Sequence, residues 1–365
     1  MKTRAALFRG PGRPLDVAEI ELDGPGPGDV LVRMDAVGVC GSDLHIVRGE
    51  WARPTPMVLG HEGAGVVEAV GAGVAGLAPG DRVVLSWAPS CGACGPCRRG
   101  RSVACAPLRA GIAAGTLPDG TTRMRVDGET VYRMTAIGAL AERIVVPAKA
   151  ALPLPSDVSL EEGALIGCAA LTGVGAVLNR ARVEQGATVL VVGAGGVGQF
   201  CVQGARIAGA SVVVAVDPVA ARREQALRLG AAAAVEPAGL EEALARVAPE
   251  GVDYAFDAVG GAETFELALR ATRGGGTVVA VGMAPAGVKL AIDPFQLTNE
   301  EKVLTGSLYG SADPSVALPA LLEHIRAGRL DLEHALGPSF PLERVNEAIE
   351  ASIAGAAGRV LVRMA

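Results

Sequence analysis

The stretch VLVVGAGGVGQ sets Gly193, Gly195 and Gly198 as G-x-G-x-x-G between an apolar run and a helix-like segment. No other feature narrows the possible folds as far. The first glycine permits a tight turn, the second lets the backbone approach a pyrophosphate, and the third lets helix and sheet pack closely. Gly196 and Val197 complete the turn. The helix that follows offers unpaired N–H groups and a partial positive charge to phosphates. The runs TVLVVG, SVVVAVD, VDYAFDAV and GTVVAVG read as strands buried on both faces. Helical patterns such as DPVAARREQALRLG and GAETFELALRATR separate them. Alternating β and α predicts a parallel doubly wound sheet over about 170–305.

Asp217 ends the strand after the glycine turn. A carboxylate there accepts hydrogen bonds from both adenosine-ribose hydroxyls and repels a 2′-phosphate, which favours NAD over NADP. Arg222 and Arg223 follow and would soften that preference, unless they form a solvated helix face. The uncharged segment Gln185 to Ala205 is long enough to cross a bilayer. Its six glycines and strand–turn–helix pattern argue against that reading.

The rest of the chain reads differently. Residues 1–90 show short apolar runs split by Gly and Pro, an all-β pattern, and 91–125 is loop-like. PSVALPALLEHIRAGRL and LERVNEAIEASI read as helices and GRVLVRM as a closing strand. A length of 365 residues suits two domains. The formal charge of −6 argues against nucleic-acid or acidic-membrane partners. The N-terminus MKTRAALFRGPGRP holds too short an apolar run for a secretory signal, so a cytoplasmic protein is expected.

In a reducing compartment the seven cysteines are not expected to form disulfides. Cys91, Cys94, Cys97 and Cys105 follow C-x2-C-x2-C-x7-C, a spacing that wraps a tetrahedral ion. Four thiolates leave no open position, so a zinc here is structural. An iron–sulfur cluster or a nucleic-acid zinc module with Arg98, Arg99 and Arg101 are the competing readings. The acidic chain and the absence of interleaved aromatics weigh against the module. Cys201, between Phe200 and Val202, reads as a buried small hydrophobe. Cys40 and Cys168 remain, and His61 in VLGHEGAGVV offers a third ligand of suitable type. Two thiolates and an imidazole make a catalytic zinc site with an open corner, if such distant residues meet.

GHEGAGVVEAVGAGVAGLAPGDRVV, the four-cysteine lobe and the glycine turn occur in an order that resembles the zinc-containing medium-chain alcohol dehydrogenases over nearly the whole chain. GTLPDGTTR resembles their longer branch, which includes glutathione-dependent formaldehyde dehydrogenases. The resemblance implies an α/β protein with a GroES-like β-rich catalytic domain and a doubly wound parallel Rossmann domain. It places the catalytic domain at 1–169 with a zinc lobe at 91–105, the NAD-binding domain at 170–305, and a return segment at 306–365.

It also implies two Zn²⁺ per subunit, with Cys40, His61 and Cys168 at the catalytic ion. Ser42 would take the proton of the reacting alcohol and pass it, through the nicotinamide ribose, to His45 and solvent. Asp43 would orient His61, and Glu62 would stand close behind the metal. Thr172 would pack on the nicotinamide, with Val281, Gly282, Ser307 and Tyr309 on its carboxamide side, and Arg359 would reach the pyrophosphate. Trp51, Trp87, Ala110, Met134 and Leu308 fall on substrate-pocket positions and suit a medium-sized apolar or aromatic primary alcohol; plain core packing is the alternative. The branch implies a homodimer, with a tetramer left open.

Two rival functions stand beside this one. Arg109 falls where the formaldehyde-dehydrogenase branch holds a thiol cofactor's carboxylate, which favours S-(hydroxymethyl)glutathione or S-(hydroxymethyl)mycothiol as substrate. His45 opposes that, since the branch usually lacks a histidine there. A non-catalytic zinc- and NAD-binding protein would have lost an open-site ligand, and all three are present.

Overall fold

The computed structural model describes residues 1–364. Its second half is built on a six-stranded sheet with all neighbours parallel. The strands lie in the order Ala233–Val235, Val212–Val216, Thr188–Val192, Val252–Asp257, Thr272–Ala280 and Val303–Gly306. From Thr188–Val192 the chain runs outward to one edge, then returns to lay Val252–Asp257 on the other side. That reversal opens a crevice at the carboxyl ends of these two strands, the usual ligand position in such sheets. Val189, Leu190 and Val191 are fully buried, as strands covered on both faces require.

The glycine turn sits at this crevice. Gly193 has φ 86°, which a side chain resists. A Cβ on Gly198 would lie 1.7 Å from the Gly193 carbonyl oxygen, so helix Gly198–Ile207 can start there only with glycine. Cys201 is fully buried in that helix, and burial pushes its thiol up to about 12.

The first half forms a six-stranded and a seven-stranded sheet. Strand Asp29–Gly38 is central to the larger one and pairs antiparallel with Glu62–Val70, Arg143–Pro147 and the C-terminal strand Arg359–Arg363. The chain thus returns to its first half after completing the second. Of the return segment, Ala365 lies outside the described residues.

Two local readings change. The β-rich start contains a helix, Gly41–Val47, begun at Cys40, whose N–H is accepted by the Asp43 carboxylate at 2.9 Å. The loop-like 91–125 holds helix Ala106–Ala114, closed by Gly115 in the left-handed region at φ 70°. Its four alanines and single glycine carry little hydrophobic periodicity, so the sequence pattern reads as loop. The boundary between 169 and 170 falls inside a continuous helical segment, Leu160–Ala181, so no linker separates the halves there. This helix, and not Gln185 to Ala205, is long and apolar enough to cross a membrane, yet 78% of its 18-residue apolar stretch is buried inside the protein. It is a core helix shared by both halves.

Candidate active site and metal centres

A cavity of about 500 Å³ lies between the two halves, walled by residues of both. Three separate segments deliver the candidate metal ligands to its floor. Cys40 precedes helix Gly41–Val47, His61 precedes strand Glu62–Val70, and Cys168 lies on the π-helical turn Ile166–Ala170 within the long helix. Donor atoms of Cys40, His61, Glu62 and Cys168 all lie within 4.8 Å of one another, and all four residues are buried. Asp43 ties two segments together: its carboxylate accepts the N–H of Cys40 at 2.9 Å and that of Gly60 at 2.8 Å.

The electrostatics describe a site built for a cation. The hydrogen bond from Cys168 holds the Cys40 thiol well below its ordinary value, with Arg359 and His61 adding to it. The same pairing, then burial, raises Cys168. Burial opposes a charged His61, but Asp43 and then Cys40 hold it up at about 9. Burial pushes Glu62 up to about 8 against the pull of Arg359. Nδ1 of His61 and both Glu62 oxygens find no hydrogen-bond partner. Asp43 faces that Nδ1 at 3.7 Å, beyond hydrogen-bond reach, so it holds the backbone more firmly than the imidazole. Two soft thiols, an imidazole and buried unsatisfied atoms fit zinc, whose binding would release their protons.

The second cluster also fits. Sγ atoms of Cys94 and Cys97 stand 3.4 Å apart and those of Cys91 and Cys97 4.0 Å. Zinc with thiolates at 2.3 Å gives tetrahedral edges of about 3.8 Å. The N–H groups of Cys94 and Cys91 donate to Sγ of Cys91 and Cys105, each at 3.3 Å. Cys105 is fully buried, and the other three are half-exposed.

Ser42 and His45 line the cavity from helix Gly41–Val47. Ser42 Oγ lies 3.7 Å from Cys40 Sγ. The His45 ring stacks on Trp51 with centroids 4.4 Å apart, and its Nδ1 pairs with Glu50. Trp51 Nε1 donates to the Ala284 carbonyl at 3.2 Å, joining the cavity's two sides. Glu50 was not foreseen; five residues beyond His45, it follows no helical spacing that would have flagged it.

Gly195, Gly196, Val197, Thr172, Val281, Gly282, Tyr309 and Arg222 also face the cavity, whereas Gly193, Gly198, Asp217 and Ser307 do not. Asp217 is buried beneath the turn, where its oxygens accept the N–H groups of Ala194 and Val219 at 2.9 and 2.8 Å. Each oxygen keeps a lone pair for a further donor. Arg223 folds back to the carbonyls of Asp217 and Pro218, each at 2.9 Å. Arg359 spans from the metal ligands to the glycine turn. Its Nε stands 2.9 Å from Glu62 Oε2, an ion pair off the hydrogen-bond axis, and a Cβ on Gly196 would touch its guanidinium. Ser307 bonds Ser311 at 3.2 Å. The buried Tyr309 hydroxyl donates to the Gly167 carbonyl at 2.5 Å, bracing the turn that carries Cys168.

Trp51, Trp87, Met134 and Leu308 also line the cavity. Ala110 does not: it points to solvent, and its helix neighbours Arg109, Ile112 and Ala113 face inward instead. At about 100° per residue, positions 109, 112 and 113 fall on one face of the helix and position 110 falls off it. Arg53 and Thr135 join the lining without any sequence signal.

This fold and these two ligand sets define a dehydrogenase with a metal-dependent site. The family model described as Alcohol dehydrogenase GroES-like domain matches residues 26–156, and that described as Zinc-binding dehydrogenase matches 196–326. The chain is 39% identical over 354 residues to an NDMA-dependent alcohol dehydrogenase of Amycolatopsis methanolica, covering 95% of each. It is 35% identical over 356 residues to the S-(hydroxymethyl)glutathione dehydrogenase of Photobacterium damsela subsp. piscicida, covering 96% of each. The solved structure of benzyl alcohol dehydrogenase from Acinetobacter calcoaceticus superposes with a TM-score of 0.93 at 27% identity over the full length of both chains. The chain belongs to the zinc-dependent alcohol dehydrogenases.

Proposed function

We propose that the protein oxidises medium-sized primary alcohols, aromatic ones included, to aldehydes and passes hydride to NAD. The observation that carries this reading is the meeting of Cys40, His61 and Cys168 at the floor of a cavity whose other end holds the glycine turn. When bound, zinc supplies Lewis acidity that lowers the pKa of an alcohol and polarises the aldehyde carbonyl. The chain's own residues do the rest. Ser42 takes the hydroxyl proton, and His45 carries it toward solvent. With Nδ1 engaged by Glu50, His45 keeps Nε2 free to accept that proton. Thr172 and Val281 hold the nicotinamide against the donor carbon. Trp51, Trp87, Met134 and Leu308 exclude water and suit an apolar or aromatic chain.

A substrate panel read by NADH absorbance tests the proposal: benzyl and medium-chain primary alcohols should be turned over, and no NADH from any of them would overturn it. The remaining lone pairs of Asp217 favour ribose hydroxyls over a phosphate. Asp217→Ala should raise the NADP-to-NAD ratio of kcat/KM by roughly tenfold, and an unchanged ratio would place the recognising group elsewhere.

The second reading, an S-(hydroxymethyl)glutathione or S-(hydroxymethyl)mycothiol dehydrogenase, draws on Arg109 facing the cavity and on the Photobacterium relative. Formaldehyde with either thiol would then give rates far above those of simple alcohols.

We further propose a homodimer. Val288, Leu290, Ile292, Phe295 and Val303 are exposed beside the edge strand Val303–Gly306, an apolar surface and an open sheet edge that a second copy would cover. Seven free cysteines suit a reducing, cytoplasmic setting.

A further inference from the structure

The edge strand Val303–Gly306 keeps its pairing for one more residue, where Ser307 donates its N–H to the Ala280 carbonyl at 2.9 Å. The chain then turns, and Leu308 and Tyr309 reach the cavity wall. Three consecutive residues hold left-handed backbone: Tyr309 at φ 53°, Gly310 at 72° and Ser311 at 57°. Glycine adopts that conformation freely, but a bulky side chain such as tyrosine is an outlier there. So costly a conformation persists only where its surroundings hold it, and such residues cluster at functional sites.

The long helix Leu160–Ala181 holds it at three points. Asn179 donates to the Gly310 carbonyl at 3.1 Å. A Cβ on Gly310 would lie 2.1 Å from the Leu171 carbonyl oxygen, and one on Gly175 would lie 2.5 Å from the Gly310 Cα, so the two backbones touch. The third point is the buried Tyr309 hydroxyl on the Gly167 carbonyl. Gly167 and Cys168 share the π-helical turn Ile166–Ala170. A Cβ on Gly167 would lie 2.7 Å from the Leu85 carbonyl oxygen, so this turn is also pressed against strand Arg82–Leu85. The hydroxyl has one proton, which the Gly167 carbonyl accepts; Ser86 Oγ, 3.3 Å away, meets its lone pairs. The Tyr309 ring rests on Trp87, with centroids 4.5 Å apart. The first two contacts act on the backbone of the loop, and only the hydroxyl reaches the turn beside a metal ligand.

We propose that Tyr309 is a positioning residue for Cys168: the strained loop aims its hydroxyl at the Gly167 carbonyl and so fixes the turn from which Cys168 reaches the metal. Partners that orient a ligand from behind govern metal affinity as well as activity. This inference rests on the reading of Cys168 as a ligand of the catalytic ion.

Tyr309→Phe tests it, since the variant keeps the ring against Trp87 and removes only the hydroxyl. On the zinc-loaded enzyme, a colorimetric chelator should strip the catalytic ion roughly tenfold faster than in wild type. The ion of the four-cysteine lobe should leave at an unchanged rate. With cobalt at the catalytic site, the thiolate-to-metal charge-transfer band should shift or weaken. NADH affinity should stay within about twofold of wild type; a larger loss would make the hydroxyl a prop for the loop and overturn the inference. Asn179→Ala is the control, because it frees the Gly310 carbonyl without touching Gly167. It should lower Tm and leave metal release as in wild type. Equal release rates and equal cobalt bands in wild type and Tyr309→Phe overturn the inference. So does release in Asn179→Ala as fast as in Tyr309→Phe. Cys168→Ser judges the underlying reading by elemental analysis, where one zinc per chain is expected. Two would overturn the ligand assignment and the inference together. One, with Tyr309→Phe indistinguishable from wild type, overturns the inference alone.

Discussion

Cys91, Cys94, Cys97 and Cys105 belong to one loop and its return, whereas Cys40, His61 and Cys168 arrive from three distant segments. The first set is half-exposed, apart from Cys105, and is pre-positioned by its own backbone N–H groups. The second is wholly buried, with Glu62, Arg359 and Asp43 packed round it. A contiguous set can wrap an ion with little help, so it serves to order a lobe that has few apolar contacts of its own. A dispersed set needs the folded protein to bring it together, and the surrounding elements then decide what its vacant corner faces. Here Cys40, His61 and Cys168 line the same cavity as the glycine turn.

The sharpest way to break this contrast is to remove one ligand from each set. Cys168→Ser should lower kcat/KM for benzyl alcohol by at least roughly a thousandfold, since one fewer thiolate removes the Lewis acid. NADH binding, followed by fluorescence titration, should change little; its loss would mean that the dispersed set also supports the coenzyme fold.

Cys94→Ser should act on stability first. Loss of the structural ion should cost about 3 kcal/mol or more, lower Tm, and reduce zinc from two ions per chain to one by elemental analysis. Activity should fall only severalfold, because helix Ala106–Ala114 carries Ile112 and Ala113 to the cavity wall. Activity lost as completely as in Cys168→Ser would erase the distinction between the two sets.

The smallest effect concerns thiol reactivity within the exposed set. The backbone N–H groups of Cys97 and Ala106 hold Cys94 down to about 6, while burial and then Cys94 push Cys97 up to about 11. A thiol at 6 is about nine-tenths thiolate at pH 7, and its thiolate fraction falls as the pH drops through 6. In metal-free protein, iodoacetamide should therefore label Cys94 well before Cys97 at pH 7, as read by peptide mass spectrometry. The reverse order would show that the lobe's backbone does not persist without its ion.

Much of this site was legible because spacing carries chemistry. The glycine triplet, the C-x2-C-x2-C-x7-C run and the buried strands are local patterns, and each has a local physical cause. What escaped was set by direction and by long-range packing. Ala110 and Ile112 differ only in which way one helix turns them. Arg133 is fully buried, pushed down to about 9 by burial, and donates to the carbonyls of Thr122, Ile137 and Val145, bracing the backbone beside Met134. Its sequence neighbourhood shows none of this. Glu50 on His45 and Tyr309 on Gly167 are likewise pairings that no periodicity announces.

The sequence by itself determined the glycine turn, the contiguous metal loop and the alternation that builds the parallel sheet, because each depends on residues close along the chain. Only the tertiary structure decided that Cys40, His61 and Cys168 meet and that the long apolar helix is shared core. Those outcomes depend on how strands 29–38, 62–70 and 359–363 pair and on how the helix at 160–181 crosses between the halves. Side-chain direction and long-range register are properties of the packed molecule, and no short stretch of chain contains them.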